Sequence, residues 1–428
     1  MNWLLEGGLI ADPLRDIVGE AALAVVDGRI VHAAPDDAER VDVSGCVLMP
    51  GHVCGHHHLY SALARGMPGP AEPPRTFPEI LERIWWRLDR ALDPETIHLS
   101  ALLGSVEAAR AGTTTVIDHH ASPEAIDGSL DLVALGLDEA GLRGVVCYEV
   151  TDRHGLARGR DGIAENVRFL GENSRPRIRG MMGAHASFTI GQETMEALVA
   201  EAGRMRAGVH IHLAEDEIDE RDALARYGTR TVHRLVRAGA LAGGTLVAHG
   251  VHLDESERQA LRESGAWLAH NPRSNMNNGV GYAPVSRMGE RVALGTDGID
   301  GDLFTEARIC YLKAREASPE TGPSFAVARA AAGARLAGGL LGEPLLGTLA
   351  DGAPADLIVL EYHPPTPLDA ANLAGHLIFG MQAAHVRDVM VAGRWIVRNR
   401  HHELVDEGDL TARCREAAPQ LWSRMEAF

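Results

Sequence analysis

The chain has 428 residues, a length that suits a large α/β barrel with an accessory unit better than one small domain. Apolar residues form 45% of it and aromatic residues only 4%, so the core must be built from Ala, Val, Leu and Ile. The formal charge of -18 and the lack of a Lys/Arg-rich run argue against a nucleic-acid partner, because phosphate contacts need a basic face.

The cysteines and the hydropathy of the chain are typical of a cytoplasmic protein. The five cysteines are widely spaced and form no CxxC pair, so neither a disulfide framework nor a thiolate zinc site is expected. The N-terminal stretch lacks a positively charged start and a cleavable apolar run, and no later segment is long enough to span a membrane. We therefore expect a cytoplasmic protein without a membrane partner.

In chain order, short β-like runs occupy residues 3–48, and eight apolar runs then alternate with helical segments such as 93–111, 191–206, 219–239 and 254–264. The runs are 46–58, 112–120, 142–150, 177–189, 208–216, 245–253, 266–275 and 291–298. Eight strands alternating with helices predict a parallel (β/α)₈ barrel, whose functional side chains gather at the C-terminal strand ends. A doubly wound open sheet is the alternative, but it usually carries a Gly-rich phosphate turn, which is missing here.

A second β-like segment follows at about 345–400, and a polar helix is predicted at 407–426. Two β segments that bracket a barrel are expected to join in one small sandwich. The predicted fold class is therefore α/β, a TIM-type barrel with a β-sandwich domain formed by both chain ends. The expected domains are the discontinuous sandwich (1–50 and 345–405), the metal-dependent barrel (51–344) and a C-terminal helix (406–428).

Three consecutive histidines, His56, His57 and His58, end the first barrel run behind a Pro-Gly turn. Because side chains alternate along a strand, His56 and His58 share one face, which points inward in a barrel, and His57 points to the helical layer. An HxH pair is weak evidence for a metal site when taken alone.

Further candidates lie near the ends of three other predicted strands. They are His212, Glu215, His249 and Asp297. Imidazole nitrogens and a carboxylate oxygen are suitable ligands for Zn²⁺ and leave room for a water molecule. Any one of the histidines could be a satisfied core residue, and His210 and His252 are assigned to that role. The joint occurrence at four strand ends predicts a metal site.

The order of these motifs resembles the amidohydrolase superfamily: PG-x4-HxH on strand one, HxxE on strand five, His on strand six and TD on strand eight. Within it, the chain is most similar to the cytosine and S-adenosylhomocysteine deaminase branch, and there to the SsnA-type aminohydrolases. The likeness continues through WWRLDRAL (85–92), VIDHHASP (116–123), GAHASFT (183–189), NPRSNMNN (271–278), GTDGIDGDLF (295–304), PTPLDAANLAGHLIFGM (365–381) and VMVAGRW (389–395). It covers nearly the whole chain and implies the same barrel-plus-sandwich architecture.

The resemblance implies one divalent metal ion, with zinc expected first and iron as the alternative. Its ligands would be His56, His58, His212 and Asp297. Many relatives bridge two metals through a carbamylated lysine on strand four, but Lys313, the only lysine of the chain, lies beyond strand eight. That strand end also lacks a bridging Cys or Glu, so a mononuclear site is expected.

By the same resemblance, Glu215, His249 and Asp297 carry the catalysis. Glu215 would take a proton from the attacking water and deliver it to a ring nitrogen of the substrate. His249 would orient the water, and Asp297 would pass a second proton to the departing ammonia. The alternative for Glu215 is a solvated surface carboxylate beside Asp216 and Glu217.

Substrate contacts are expected from residues in strand-end or lid-like positions: His185, Trp86, His119, Arg273 and Asn275. Trp86 could equally be a core residue, and Arg273 could be a structural ion-pair partner. The predicted function is hydrolytic deamination of an amino-substituted purine, pyrimidine or related ring. The alternatives are ring opening of a cyclic amide or amidine, dechlorination of a triazine, and a non-catalytic scaffold.

A small molecule is therefore the expected partner. Phosphorylated nucleotides should be poor substrates, because the predicted site has no Gly-rich phosphate cradle and no lysine. The HxE and PCxxC pattern of the small zinc nucleobase deaminases is absent, which disfavours nucleic-acid editing. A homo-oligomer is expected, although no sequence feature indicates its size.

Overall fold

The computed structural model describes residues 2–428 of the chain. Short strands at the start of the chain form the first part of an accessory domain. They are β1 (Trp3–Glu6), β2 (Leu9–Asp12), β3 (Ile17–Glu20), β4 (Leu23–Val26), β5 (Arg29–Val31), β6 (Glu39–Asp42) and β7 (Val47–Pro50). One sheet has the order β5-β4-β1-β6, and β2, β3 and β7 belong to a second sheet.

Parallel strands follow and build the barrel. They are β8 (His52–His57), β9 (Thr113–His120), β10 (Arg143–Tyr148), β11 (Ile178–Gly180), β12 (Met182–Ala186), β13 (Val209–Leu213), β14 (Leu246–His249), β15 (Trp267–His270) and β16 (Val292–Leu294). The fourth barrel strand is divided at Met181 into β11 and β12. The strands form two arcs, β11-β10-β9-β8 and β12-β13-β14-β15-β16.

Main-chain hydrogen bonds join the two arcs at both seams. At one seam, His185 N donates to Val150 O at 2.9 Å and Val150 N donates to Gly183 O at 3.2 Å. At the other, Asp297 N donates to His56 O at 3.0 Å and His58 N donates to Asp297 O at 3.2 Å. The ring is therefore closed, the predicted (β/α)₈ fold class is confirmed, and the ends of the first and last barrel strands lie side by side.

Helices follow the barrel strands and connect the two domains. They are α1 (Phe77–Ile80), α2 (Trp86–Ala91), α3 (Pro94–Arg110), α4 (Ser129–Glu139), α5 (Leu156–Glu172), α6 (Gln192–Met205), α7 (Glu217–Tyr227), α8 (Thr231–Ala238), α9 (Glu255–Ser264), α10 (Pro272–Asn277), α11 (Leu303–Ala317), α12 (Ser324–Leu341), α13 (Leu373–Phe379) and α14 (Glu407–Met425). Across residues 2–428, none of the helices combines the length and the apolar character that a membrane crossing requires.

Residues 219–239, expected as a single helical segment, form the two helices α7 and α8. Gly228 ends α7 with a φ of +64°, and its N–H donates to Leu224 O at 3.0 Å. Glycine adopts this left-handed conformation without a Cβ clash, so it is a common helix terminator that helical period alone does not reveal.

The last strands complete the accessory domain. They are β17 (Leu357–Leu360), β18 (Val386–Val391), β19 (Arg394–Arg398) and β20 (His401–His402). β7 pairs antiparallel with β17, so both chain ends share one sheet of order β20-β19-β18-β17-β7-β2-β3. Apolar residues from both sheets, including Trp3, Leu48 and Trp395, pack into one buried cluster. On this basis we propose the division into a sandwich (1–50 and 345–405), a barrel (51–344) and a C-terminal helix (406–428).

Candidate metal centre and substrate pocket

Four buried side chains meet at the C-terminal ends of the barrel strands. His56 lies on β8, one residue before its end, His58 follows the strand, His212 lies on β13 and Asp297 follows β16. Their ligand-type atoms all lie within 4.8 Å of one another. His58 Nε2 is 3.1 Å from both His212 Nε2 and Asp297 Oδ1, and His56 Nε2 is 3.6 Å from Asp297 Oδ1. Ligands of a tetrahedral zinc stand roughly 3.3–3.6 Å apart, since each bond is about 2.0–2.2 Å long. The spacing therefore fits a small divalent cation.

The protonation of these groups fits a cation as well. Burial lowers the pKa of His56 and of His212 well below the usual value, which keeps both imidazoles neutral, as metal ligands must be. Burial acts the same way on His58, but the hydrogen-bonded Asp297 carboxylate outweighs it and raises the pKa of His58 to about 9. Asp297 therefore draws positive charge to the centre of the cluster. His56 Nε2 is buried there without a hydrogen-bond partner among residues 2–428.

Hydrogen bonds to main-chain carbonyls orient two of the candidate ligand histidines. His58 Nδ1 donates to His119 O at 2.6 Å, and His212 Nδ1 donates to His185 O at 2.8 Å. Because a carbonyl oxygen can only accept, Nδ1 carries a proton in both rings, and each ring presents its other nitrogen, Nε2, to the cluster. His57 has turned away, as alternation predicts, and its Nδ1 lies 2.8 Å from Thr296 Oγ1.

Two further titratable side chains, Glu215 and His249, lie beside the cluster. Glu215 Oε2 is 3.5 Å from His249 Nε2, and His249 Nε2 is 3.8 Å from Asp297 Oδ2. Asn278 Nδ2 donates to Glu215 Oε1 at 3.1 Å. Burial, together with the nearby Asp297 charge, raises the pKa of Glu215 to about 7. A carboxyl group in this state can take up and release a proton near neutral pH.

The main chain is strained at these same positions. His249 has a φ of 75°, Asp297 of 53° and Ala214, which precedes Glu215, of 45°. A residue other than glycine in this left-handed region costs about 1–3 kcal/mol, and such residues concentrate at functional sites. At each of these positions the main chain turns sharply at the end of a strand, and the turn places a polar side chain at the barrel mouth.

The cluster opens into a pocket of about 840 Å³, its mouth included. His58, His212, Glu215 and Asp297 form one part of the wall. Much of the rest is aromatic and comes from Tyr60, Phe77, Trp85, Trp86 and Phe188. Trp86 and His185 pack edge to face with ring centroids 6.2 Å apart. A wall of this kind fits a flat ring with a few polar groups.

An ion cluster that sequence reasoning missed also borders the pocket. Asp89 and Glu149 line the wall, and Arg153 Nη2 donates to Asp89 Oδ2 at 3.1 Å and to Glu149 Oε1 at 3.0 Å. The Arg153 guanidinium lies 4.6 Å from the ring centroid of Trp86. Arg153 is thus held between two carboxyl groups, and burial raises the pKa of one of them, Asp89, to about 7. The signal was present, since Glu149 follows the end of β10 and Asp89 stands three positions after Trp86.

The five expected substrate contacts divide into two groups. His185 and Trp86 line the pocket. His119, Arg273 and Asn275 lie outside the wall that the described residues form, because each is engaged elsewhere. Arg273 is an ion-pair residue, bonded to the buried Glu306 and, at 2.8 Å, to Asp300.

His119 and Asn275 act as supports for other site residues. His119 Nε2 donates to Ala184 O at 3.1 Å, and its main-chain carbonyl accepts from His58. Asn275 Oδ1 accepts from His249 Nδ1 at 2.8 Å. The sequence pattern placed both residues near the site, but it could not distinguish a wall residue from the layer behind it.

Lys313 has no part in the cluster, since it lies on α11 and its ammonium group pairs with Glu316 of the same helix. A closed (β/α)₈ barrel with a three-histidine, one-aspartate cluster at its strand ends defines the class of metal-dependent hydrolases. Residues 47–396 match the amidohydrolase family, and the chain belongs to that family. The predicted superfamily is thereby confirmed.

Relatives match over almost their whole length. A 5-methylthioadenosine/S-adenosylhomocysteine deaminase of Pelotomaculum thermopropionicum is 32% identical, over 98% of this chain and 97% of its own. A 5'-deoxyadenosine deaminase of Methanosarcina mazei is 30% identical, over 98% of both chains. The crystal structure of an adenosine deaminase from Xanthomonas campestris with bound zinc superposes with a TM-score of 0.87 at 24% identity, covering 100% of this chain and 99% of that one. At 24% identity, this structural similarity supports the fold alone.

Proposed function

We propose that the protein is an aminohydrolase that releases ammonia from an amino-substituted purine ring and uses one zinc ion per chain. The observation that carries the proposal is that Glu215 and His249 lie directly beside the four-residue cluster, and that His58, His212, Glu215 and Asp297 line one pocket. A non-catalytic scaffold has no need for both. The relatives support the purine, because the substrates in their names all contain an adenosyl group.

His56, His58, His212 and Asp297 would hold the ion, which when bound supplies a water molecule of lowered pKa as the nucleophile. Glu215 takes a proton from this water and gives it to the ring nitrogen next to the amino-bearing carbon. The water oxygen then forms a bond to that carbon. His249, fixed by Asn275, orients the attacking water through Nε2.

The second half of the reaction removes the amino group. Asp297 takes the remaining water proton and passes it to the amino nitrogen, the C–N bond breaks, and ammonia leaves with an oxo-purine as the other product. General acid and base groups of this kind each contribute about 10²- to 10⁴-fold in rate. The aromatic wall holds the ring, and Arg153, which is bonded to Asp89 and Glu149, is not free to bind a phosphate tail.

A screen for ammonia release tests the proposal. Amino-purine bases and nucleosides, aminopyrimidines, pterins and aminotriazines are offered to the zinc-loaded protein, with nucleoside phosphates alongside. We expect ammonia and an oxo-purine in equal amounts, and a much lower rate with the phosphates. Ring opening without ammonia, chloride release from a chlorotriazine alone, or nucleotides as the preferred substrates would contradict the proposal.

A further inference from the structure

His56 is oriented differently from the other two ligand histidines. Main-chain carbonyls hold the Nδ1 atoms of His58 and His212, whereas His56 Nδ1 lies 2.9 Å from Nε2 of His210. His210 is fully buried on β13, two residues before His212. His56 is therefore the ligand imidazole whose orientation depends on a side chain, which a substitution can remove.

The protons along this contact can have only one arrangement if His56 binds a metal. For Nε2 of His56 to offer a lone pair, the proton must lie on Nδ1, so His210 Nε2 accepts it. His210 then carries its own proton on Nδ1, which faces Cys147 Sγ at 3.6 Å. The Cys147 thiol donates in turn to Asp118 O, with Sγ 3.6 Å from the oxygen. A directed chain thus runs from the ligand to a main-chain carbonyl.

A second metal site is the competing explanation, because His119, Cys147 and His210 have ligand-type atoms within 4.8 Å of one another. The hydrogen bonds argue against it. His119 Nε2 donates to the carbonyls of Ala184 and His210, and His119 Nδ1 faces Glu149 Oε2 at 3.3 Å. Both ring nitrogens of His210 are engaged by His56 and Cys147. Neither histidine directs a free lone pair at a common point.

We propose that His210 is a positioning residue, which holds His56 in its metal-binding orientation and thereby sets the metal affinity of the site, with Cys147 supporting His210 from behind. The inference rests on the metal centre of the proposed function. Hydrogen-bond partners of metal-bound histidines are worth about 10- to 100-fold in metal affinity.

Zinc dissociation constants of the full-length protein, measured by competition with a chelator, test the proposal. His210→Leu removes the acceptor at similar size and should weaken zinc binding by about 10- to 100-fold. His210→Gln places an amide oxygen near the position of Nε2 and should recover most of the affinity. His252→Leu is the matched control, because it loses one ring hydrogen bond, to Val280 O at 2.9 Å, without touching a ligand. It should bind zinc as the wild type does.

The melting temperatures of the metal-free proteins separate positioning from folding. A merely structural role would lower them without a difference in zinc affinity between the Leu and Gln variants, and that result would overturn the proposal. If His210→Leu does not fold, His210→Asn takes its place, since it is one methylene shorter than Gln and should bind zinc more weakly than His210→Gln. Equal affinity of the two, or a second zinc equivalent that depends on Cys147, also overturns it. Zinc binding without ammonia release would refute the proposed function and leave this inference standing.

Discussion

Replacement of Glu215 by glutamine isolates proton transfer from everything else that the site does. The two side chains have the same size, and the new amide oxygen can still accept the hydrogen bond from Asn278 Nδ2, which is 3.1 Å long in the structure. Glu215 lies outside the four-ligand cluster, so zinc content should be unchanged. What is lost is a group that can carry a proton between water and ring.

The expected loss follows from that role. Removing a general acid–base group costs about 10²- to 10⁴-fold in rate. At about 1.36 kcal/mol for each factor of ten, this raises the barrier by roughly 3–5 kcal/mol. The upper part of the range is expected, because the Glu215 side chain is only 12% exposed and bulk water has limited access to the place where it acts.

The assay is the rate of ammonia release at substrate saturation, together with zinc analysis of the same sample. Glu217→Gln is the control, since it removes the same charge from an exposed position two residues away on α7. We expect Glu217→Gln to match the wild type in both measurements. A Glu215→Gln enzyme that keeps its zinc and turns over within tenfold of the wild type would falsify the assigned role.

The remaining predictions concern metal binding and the supporting residues. His212→Ala should lose most bound metal, and the fully loaded wild type should hold one equivalent; two equivalents would refute a mononuclear site. His57→Asn should keep its zinc while losing about 1 kcal/mol of stability, because the bond to Thr296 is weakened; loss of metal would place His57 in the site. Arg273→Met should lower the free energy of unfolding in urea by about 3–5 kcal/mol and leave KM unchanged, because it leaves the buried Glu306 carboxyl without its ion-pair partner. Burial raises the pKa of Glu306 to about 7, so this loss should grow as pH rises through that value; a raised KM with normal stability would contradict the ion-pair role.

The positions of the strands and the direction in which their side chains point could be predicted, because both follow from the pattern of apolar and polar residues along a short segment. Alternation alone separated His57 from His56 and His58, and the structure shows the same separation. The barrel class followed from the order of the apolar runs. The role of each grouped residue in metal binding stays a prediction until the metal itself is measured.

Contacts between distant parts of the chain account for most of what the sequence did not reveal. Arg273 pairs with Glu306, 33 positions away, and Arg153 pairs with Asp89, 64 positions away. No local pattern marks such partners. The sequence therefore suggests substrate binding for Arg273, which is an ion-pair residue in the structure, and it does not reveal the Asp89–Glu149 side of the pocket. The sequence also predicts only a core role for His210, since its partner His56 lies 154 positions earlier.

A metal bound by the proposed ligands would link the first and last barrel strands across the seam between them. His56 and His58 come from one side of the seam and Asp297 from the other, and His57 and Thr296 bond across it from 239 positions apart. The ligand set is thus incomplete until the ring has closed. A ligand present at 1,000 times its dissociation constant stabilises the state that binds it by about 4.1 kcal/mol. If zinc binds as proposed, a chelator would remove this stabilisation, and the barrel would open more readily between its first and last strands.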